Sequence, residues 1–157
     1  MPSSPSRLPL LGLGLLGLFV VTVLVRSYGD TTVAMVVSSL VMFAACLSSA
    51  LHLLGTRATV RFVLVAVVFG WFAEQMGSSR GWFFGSYDYT DVLGPRIGDV
   101  PFIIPLMWFA LTYIGYVMAN LIVWRAPVDG SPRLLDAAVM SLLAALLVTA
   151  YDLGADP

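Results

Sequence analysis

Glu74 is the ionisable residue whose position most directly suggests chemistry. It follows the apolar run Phe62–Ala73, where a charged side chain is expensive to bury without a purpose or a partner. A carboxyl group in apolar surroundings keeps its proton more easily, and it can then serve as a general acid. The alternative is that Glu74 has no chemical role and is an interfacial carboxylate paired with Arg80. We favour a functional role for Glu74.

The segment over residues 77–100 supplies further candidates, because it is rich in glycine, aromatic residues and aspartate. Asp88 and Asp91, together with Asp152 near the C-terminus, are candidates to orient a water molecule and accept its proton. Aromatic faces stabilise cations, and the candidates for substrate contact are Trp82, Phe84, Tyr87, Tyr89 and Trp108. The residues expected to shape the loop are Gly77, Gly81, Gly85 and Pro101. An interfacial aromatic belt is the alternative, but we predict a re-entrant, site-forming loop.

The composition identifies the class of protein that must position these residues. Hydrophobic residues make up 59% of the 157 residues and charged residues only 11%, whereas soluble domains carry about 25% charged residues. A lone cysteine, Cys46, excludes an internal disulfide framework, and a lone histidine, His52, argues against imidazole-rich metal sites. The net charge of −1 provides no basic surface for a nucleic acid. The composition therefore predicts an integral membrane protein whose chemistry needs no histidine cluster and which has no nucleic-acid partner.

A membrane-spanning helix needs about 20 mostly apolar residues. Five stretches qualify, at residues 8–25, 33–54, 58–76, 101–124 and 134–151. The sequence thus predicts an all-α fold, a polytopic transmembrane helix bundle that forms a single domain over residues 1–157. Five of the eight arginines fall on the face that holds the N-terminus, so the positive-inside rule places the N-terminus in the cytoplasm.

The stretch from Glu74 to Trp108 resembles the membrane carotenoid hydratase family, which includes bisanhydrobacterioruberin and gamma-carotene hydratases. The matching residues are Glu74, Gly77, Gly81, the run Phe84-Gly85-Ser86-Tyr87-Asp88-Tyr89-Thr90, Leu93-Gly94, Val100-Pro101, Pro105 and Trp108. The run from Asp152 to Pro157 is similar to a later Asp-Pro element of that family. Family members continue beyond this element, so we expect this chain to be a fragment of a longer domain.

The resemblance implies carotenoid biosynthesis by addition of water to the terminal C=C bond of an acyclic carotenoid. Protonation of such an alkene gives a tertiary carbocation, which water then captures. Under this interpretation Glu74 donates the proton and the aromatic residues surround the cation. The expected partners are the carotenoid, water, membrane lipid and other carotenoid enzymes, with no cofactor. The expected location is the plasma membrane of a prokaryote.

Two other functions stay open at this level. Asp88 and Asp91 form an Asp-x-x-Asp pattern, and with Asp152 they could hold Mg²⁺ and a pyrophosphate in an intramembrane prenyltransferase. The absence of lysine and the few arginines on that face argue against this enzyme. A transporter or assembly subunit without enzymatic activity is the other alternative. It predicts polar residues along the middle of the membrane, where this sequence has little beyond Ser, Thr and Gly.

Overall fold

The computed structural model describes residues 7–25, 31–82, 87–128 and 133–155, with the side chains of Thr31 and residues 152–155 outside that description. Over these ranges the fold consists of long helices and one very short hairpin. The helices are α1 (Leu8–Val25), α2 (Thr31–Leu53), α3 (Thr56–Arg80), α4 (Ile103–Trp124) and α5 (Leu134–Ala155). All five are long and apolar enough to cross a membrane, which confirms the predicted all-α class.

The end of α3 corrects the predicted loop over residues 77–100. The helix continues to Arg80 because the run Glu-Gln-Met after Ala73 consists of good helix formers, although it is no longer apolar. Gly77 therefore lies inside α3 and is buried. Gly81 ends the helix in a left-handed conformation with φ 67°, and its N–H donates to the carbonyl of Gly77 at 2.8 Å.

The chain between α3 and α4 also contains ordered structure that the sequence did not predict. A single 3-10 turn covers Asp91–Leu93, and an antiparallel hairpin pairs β1 (Arg96–Ile97) with β2 (Val100–Pro101). Pro101 was expected to begin the fourth helix, but it lies in β2 and α4 begins at Ile103. Because proline has no N–H to donate, it fits a strand only in an edge position such as this one.

The chain divides into two compact units, of which the first covers Met1–Ala110. In this unit α1 packs along α2, and the hydroxyl of Ser48 donates to the carbonyl of Leu8 at 3.0 Å. Phe109 is fully buried and meets Phe43 and Phe62 edge-on, with ring centroids 5.5 and 5.7 Å apart. These aromatic contacts anchor the first two turns of α4 within the unit.

The second unit covers Leu111–Pro157 and contains the remainder of α4 with α5. Its two helices approach closely at Gly115. A Cβ at this position would lie 2.9 Å from Cγ2 of Val148 and 3.0 Å from the carbonyl oxygen of Ala144. Small residues permit such close contact between membrane helices, where packing rather than the hydrophobic effect drives association.

Candidate functional site

The carboxyl group of Glu74 accepts hydrogen bonds from three aromatic side chains. The indole Nε1 of Trp108 donates to Oε1 at 2.8 Å. The hydroxyl of Tyr89 donates to Oε2 at 2.5 Å, and the hydroxyl of Tyr87 donates to the same oxygen. Tyr87 also approaches the backbone carbonyl of Glu74 at 3.4 Å. A carboxyl group on an apolar helix is thus held by an aromatic cluster, which we call the Glu74 cluster (Glu74, Tyr87, Tyr89 and Trp108).

Two glycines on the same face of α3 make room for this cluster. Gly70 lies four residues before Glu74 and Gly77 lies three residues after it, so all three share one side of the helix. A Cβ at Gly70 would lie 2.5 Å from Cγ of Trp108, and a Cβ at Gly77 would lie 2.8 Å from the hydroxyl oxygen of Tyr87. Without side chains at these positions, the aromatic groups reach Glu74 from both directions along the helix.

Tyr87 and Tyr89 reach Glu74 because the backbone from 87 to 90 directs alternate side chains to opposite sides. Both tyrosines are partly buried, whereas Asp88 and Thr90 are exposed. This period of two is that of an extended chain. The two tyrosine rings meet edge-on with centroids 5.4 Å apart. Asp88, predicted as a catalytic candidate, is therefore exposed between two residues whose hydroxyls contact Glu74.

The hydroxyl groups of both tyrosines remain protonated at neutral pH. Burial raises the pKa of Tyr87 and of Tyr89 well above the ordinary range, and the hydrogen bonds to Glu74 and its charge raise them further. The two hydroxyls, which share the acceptor Oε2, also affect each other: the neighbouring hydroxyl lowers the pKa of Tyr87 against these effects and raises that of Tyr89. Each phenol therefore keeps a proton to donate.

The two carboxyl oxygens of Glu74 accept hydrogen bonds from different kinds of group. The indole of Trp108 only donates, so Oε1 is an acceptor whether or not the carboxyl group is protonated. Oε2 differs from Oε1 because its partners, the hydroxyls of Tyr87 and Tyr89, can also accept a hydrogen bond. A phenol hydroxyl both donates and accepts, so the linked hydroxyls can satisfy Oε2 in either protonation state.

The remaining predicted residues are not members of the Glu74 cluster, and for some of them the structure describes no side chain. Trp82 follows the end of α3 and is half exposed, with the guanidinium of Arg80 5.7 Å from its ring centroid. Asp91 begins the 3-10 turn, and its exposed carboxylate pairs with Arg96 at 2.8 Å. Phe84 and Gly85 lie outside the described residues, and Asp152 lies in α5 but its side chain is not described.

Sequence reasoning missed the residues that attach the hairpin to α3. Trp71 donates from Nε1 to the carbonyl of Ile97 at 3.0 Å. Gln75 donates to Oδ2 of Asp99 at 2.6 Å and accepts from the N–H of Asp99 at 3.0 Å. The spacing of four between Trp71 and Gln75 is the available signal, since it places both on one face of a helix.

No group of three or more His, Cys, Asp or Glu side chains that could hold a metal ion occurs within the described ranges.

Comparison with known proteins identifies the family to which this site belongs. The family model described as "Carotenoid biosynthesis protein" matches residues 30–157. The chain belongs to this carotenoid biosynthesis family. The chain is also similar to the bisanhydrobacterioruberin hydratase of Haloarcula japonica, with 32% identity over 76 residues. That match covers 48% of this chain and 26% of the relative, so the chain matches about a quarter of the relative's length. No solved structure matches the chain.

Proposed function

We propose that this carotenoid biosynthesis protein adds water to the terminal C=C bond of an acyclic carotenoid at the Glu74 cluster. The convergence of three hydrogen-bond donors on one carboxyl group carries this proposal, because the donors stabilise the carboxylate that Glu74 becomes when it gives up its proton. The hydratase name of the similar Haloarcula japonica protein supports the same reaction class. A carotenoid dissolves only in lipid, which fits a protein whose described helices are long and apolar enough to cross a membrane.

The reaction begins with proton transfer from Oε2 of Glu74. The proton adds to the less substituted alkene carbon, and the electron pair of the double bond forms the new C–H bond. The other alkene carbon becomes a tertiary cation. The faces of Tyr87 and Tyr89 stabilise this cation without trapping it, since neither phenol is ionised at neutral pH.

Water completes the reaction by attack of its oxygen on the tertiary cation. The oxonium group formed loses a proton to the carboxylate of Glu74, which restores the starting acid and leaves a tertiary alcohol. From the sequence, Asp88, Asp91 and Asp152 are the candidates to orient this water and to accept its proton on the way to Glu74. Among the Asn variants at these positions, one that weakens hydration, though less severely than Glu74→Gln, would identify the second carboxylate.

Expression in a carotenoid-producing bacterium tests the proposal. We expect wild-type protein to yield a pigment heavier by the mass of one water, identified by chromatography and mass spectrometry. Glu74→Gln keeps the shape of the side chain but removes the transferable proton, so product should fall by about a hundredfold or more. Asp136→Asn, in the first turn of α5, is the matched control and should retain activity. Hydration by an inserted Glu74→Gln protein would refute the assignment.

A further inference from the structure

Arg96 connects the hairpin to the backbone of the Glu74 cluster. From one nitrogen, Nη2, it donates to the carbonyl of Tyr89 at 2.6 Å and to Oδ1 of Asp91 at 2.8 Å. About a third of the Arg96 side chain is exposed, whereas the side chain of Asp91 is fully exposed. A charged donor strengthens a hydrogen bond to a carbonyl, whereas an exposed ion pair contributes little. The bond to the carbonyl of Tyr89 is therefore the stronger of the two contacts, and it holds the backbone at that residue.

The hairpin that carries Arg96 is itself fixed at several points. Trp71 and Gln75 attach its turn to α3, as described above. At its base the N–H of Phe102 donates to the carbonyl of Pro95 at 3.0 Å. Val100 and Pro101 are fully buried in β2. Arg96 therefore belongs to a hairpin that is held in place against α3, the helix that carries Glu74.

The segment held by Arg96 has little regular structure of its own. Residues 87–90 belong to no helix or strand. The direction of the Tyr89 hydroxyl therefore depends on contacts that fix the backbone of this residue, and the bond from Arg96 to its carbonyl is one such contact. We propose that Arg96 is a positioning residue that holds the hydroxyl of Tyr89 on Oε2 of Glu74, with Asp91 orienting Arg96. This inference rests on the proposed function.

Substitution of Arg96 should reduce catalysis through Tyr89. Loss of a charge-assisted hydrogen bond predicts that Arg96→Gln lowers the rate of hydration by about tenfold. Arg96→Lys should recover most of this loss, because both bonds start from one nitrogen and an ammonium group has three donors. Asp91→Asn should lose less than Arg96→Gln, since an exposed ion pair contributes little. Arg57→Gln, an exposed arginine in the first turn of α3, is the control.

A double-mutant cycle separates positioning from general damage to the structure. In a Tyr89→Phe background the hydroxyl is already absent, so Arg96→Gln should cause little further loss. In a Tyr87→Phe background the hydroxyl of Tyr89 is still present, so Arg96→Gln should cause a clear further loss. Equal losses in the two backgrounds, or a failure of Arg96→Lys to recover activity in an inserted protein, would overturn the positioning role.

A measurement independent of activity distinguishes failure of this inference from failure of the proposed hydration. A fluorotyrosine incorporated at position 89 reports the environment of its hydroxyl by fluorine NMR. We expect Arg96→Gln, and not Arg57→Gln, to move this resonance toward that of an exposed tyrosine. If the resonance moves but wild-type protein hydrates no carotenoid, positioning stands and the hydration proposal fails. If hydration is normal and the resonance is unchanged by Arg96→Gln, positioning fails.

Discussion

The indole of Trp108 occupies the space that Gly70 leaves open by having no side chain. A Cβ at Gly70 would lie 2.5 Å from Cγ and 2.7 Å from Cβ of Trp108. Glu74 lies one turn further along α3 and accepts from the same indole at 2.8 Å. The contact at Gly70 thus fixes the distance of the indole from the helix, and with it the hydrogen bond to Oε1 of Glu74.

Gly70→Ala should therefore displace Trp108 and weaken this hydrogen bond. We expect hydration to fall about tenfold or more, together with an overpacking penalty of about 1–3 kcal/mol in stability. Product yield from membranes with equal amounts of inserted protein provides the measurement. Gly14→Ala in α1 is the matched control, because nothing lies within 4 Å of a Cβ built there. Full activity of Gly70→Ala would show that the position of the indole does not matter.

Removal of either tyrosine hydroxyl should reduce hydration while the protein remains inserted. Tyr87→Phe and Tyr89→Phe each remove one donor from Oε2 of Glu74, for which we expect a loss of about tenfold each. Because the two hydroxyls share the acceptor Oε2, the double variant should not show the product of the single losses. Tyr151→Phe, an exposed tyrosine of α5, is the control. Rates should be measured with matched carotenoid supply.

The stability of the protein should fall in alkaline solution. The pKa values of Tyr87 and Tyr89 are raised in the folded protein, whereas an unfolded tyrosine ionises near pH 10. The stabilisation linked to these protons is therefore fully present below about pH 10 and is lost as the pH rises toward the folded pKa values. Thermal unfolding in detergent should show this decline for wild type and a shallower one for Tyr89→Phe. Identical declines would contradict the linkage.

The distribution of arginine predicts which side of the membrane each connection faces. We expect the N-terminus in the cytoplasm and the connection between α3 and α4 on the opposite side. Reporter fusions at Asp88 and Asp129 should then report opposite compartments. If both reported the same compartment, five alternating spans could not be correct.

The sequence predicts the class of fold and most of the Glu74 cluster. Five apolar stretches correspond to the five helices, because the length and hydropathy of a membrane helix are set by the bilayer. Glu74, Tyr87, Tyr89 and Trp108 were all predicted as site residues. Their contact with each other follows from Gly70 and Gly77, whose effect depends on helix geometry and on neighbours distant in sequence.

The hairpin between α3 and α4 was not predictable by the same reasoning. Its strands have two residues each, too few to show an alternating pattern. Two of its attachments use backbone groups as partners, the carbonyl of Ile97 and the N–H of Asp99. Every residue except proline carries both groups, so the residue types do not indicate these hydrogen bonds. For a similar reason the sequence treats Asp91 as a catalytic candidate, because its pairing with Arg96 depends on how the chain turns between them.

In the proposed reaction, the length of α3 would bring two immiscible reactants to one carboxyl group. Its 25 residues extend about 38 Å, which exceeds a hydrocarbon layer of about 30 Å. Glu74 lies six positions, or about 9 Å, before Arg80, the last residue of α3. When α3 spans a membrane, Glu74 is therefore near the boundary between the hydrocarbon layer and the aqueous side. A polyene diffusing sideways in the membrane and a water molecule arriving from the aqueous side would meet there. The alcohol formed is an amphiphile, and its new hydroxyl would already lie at the depth where lipid headgroups begin.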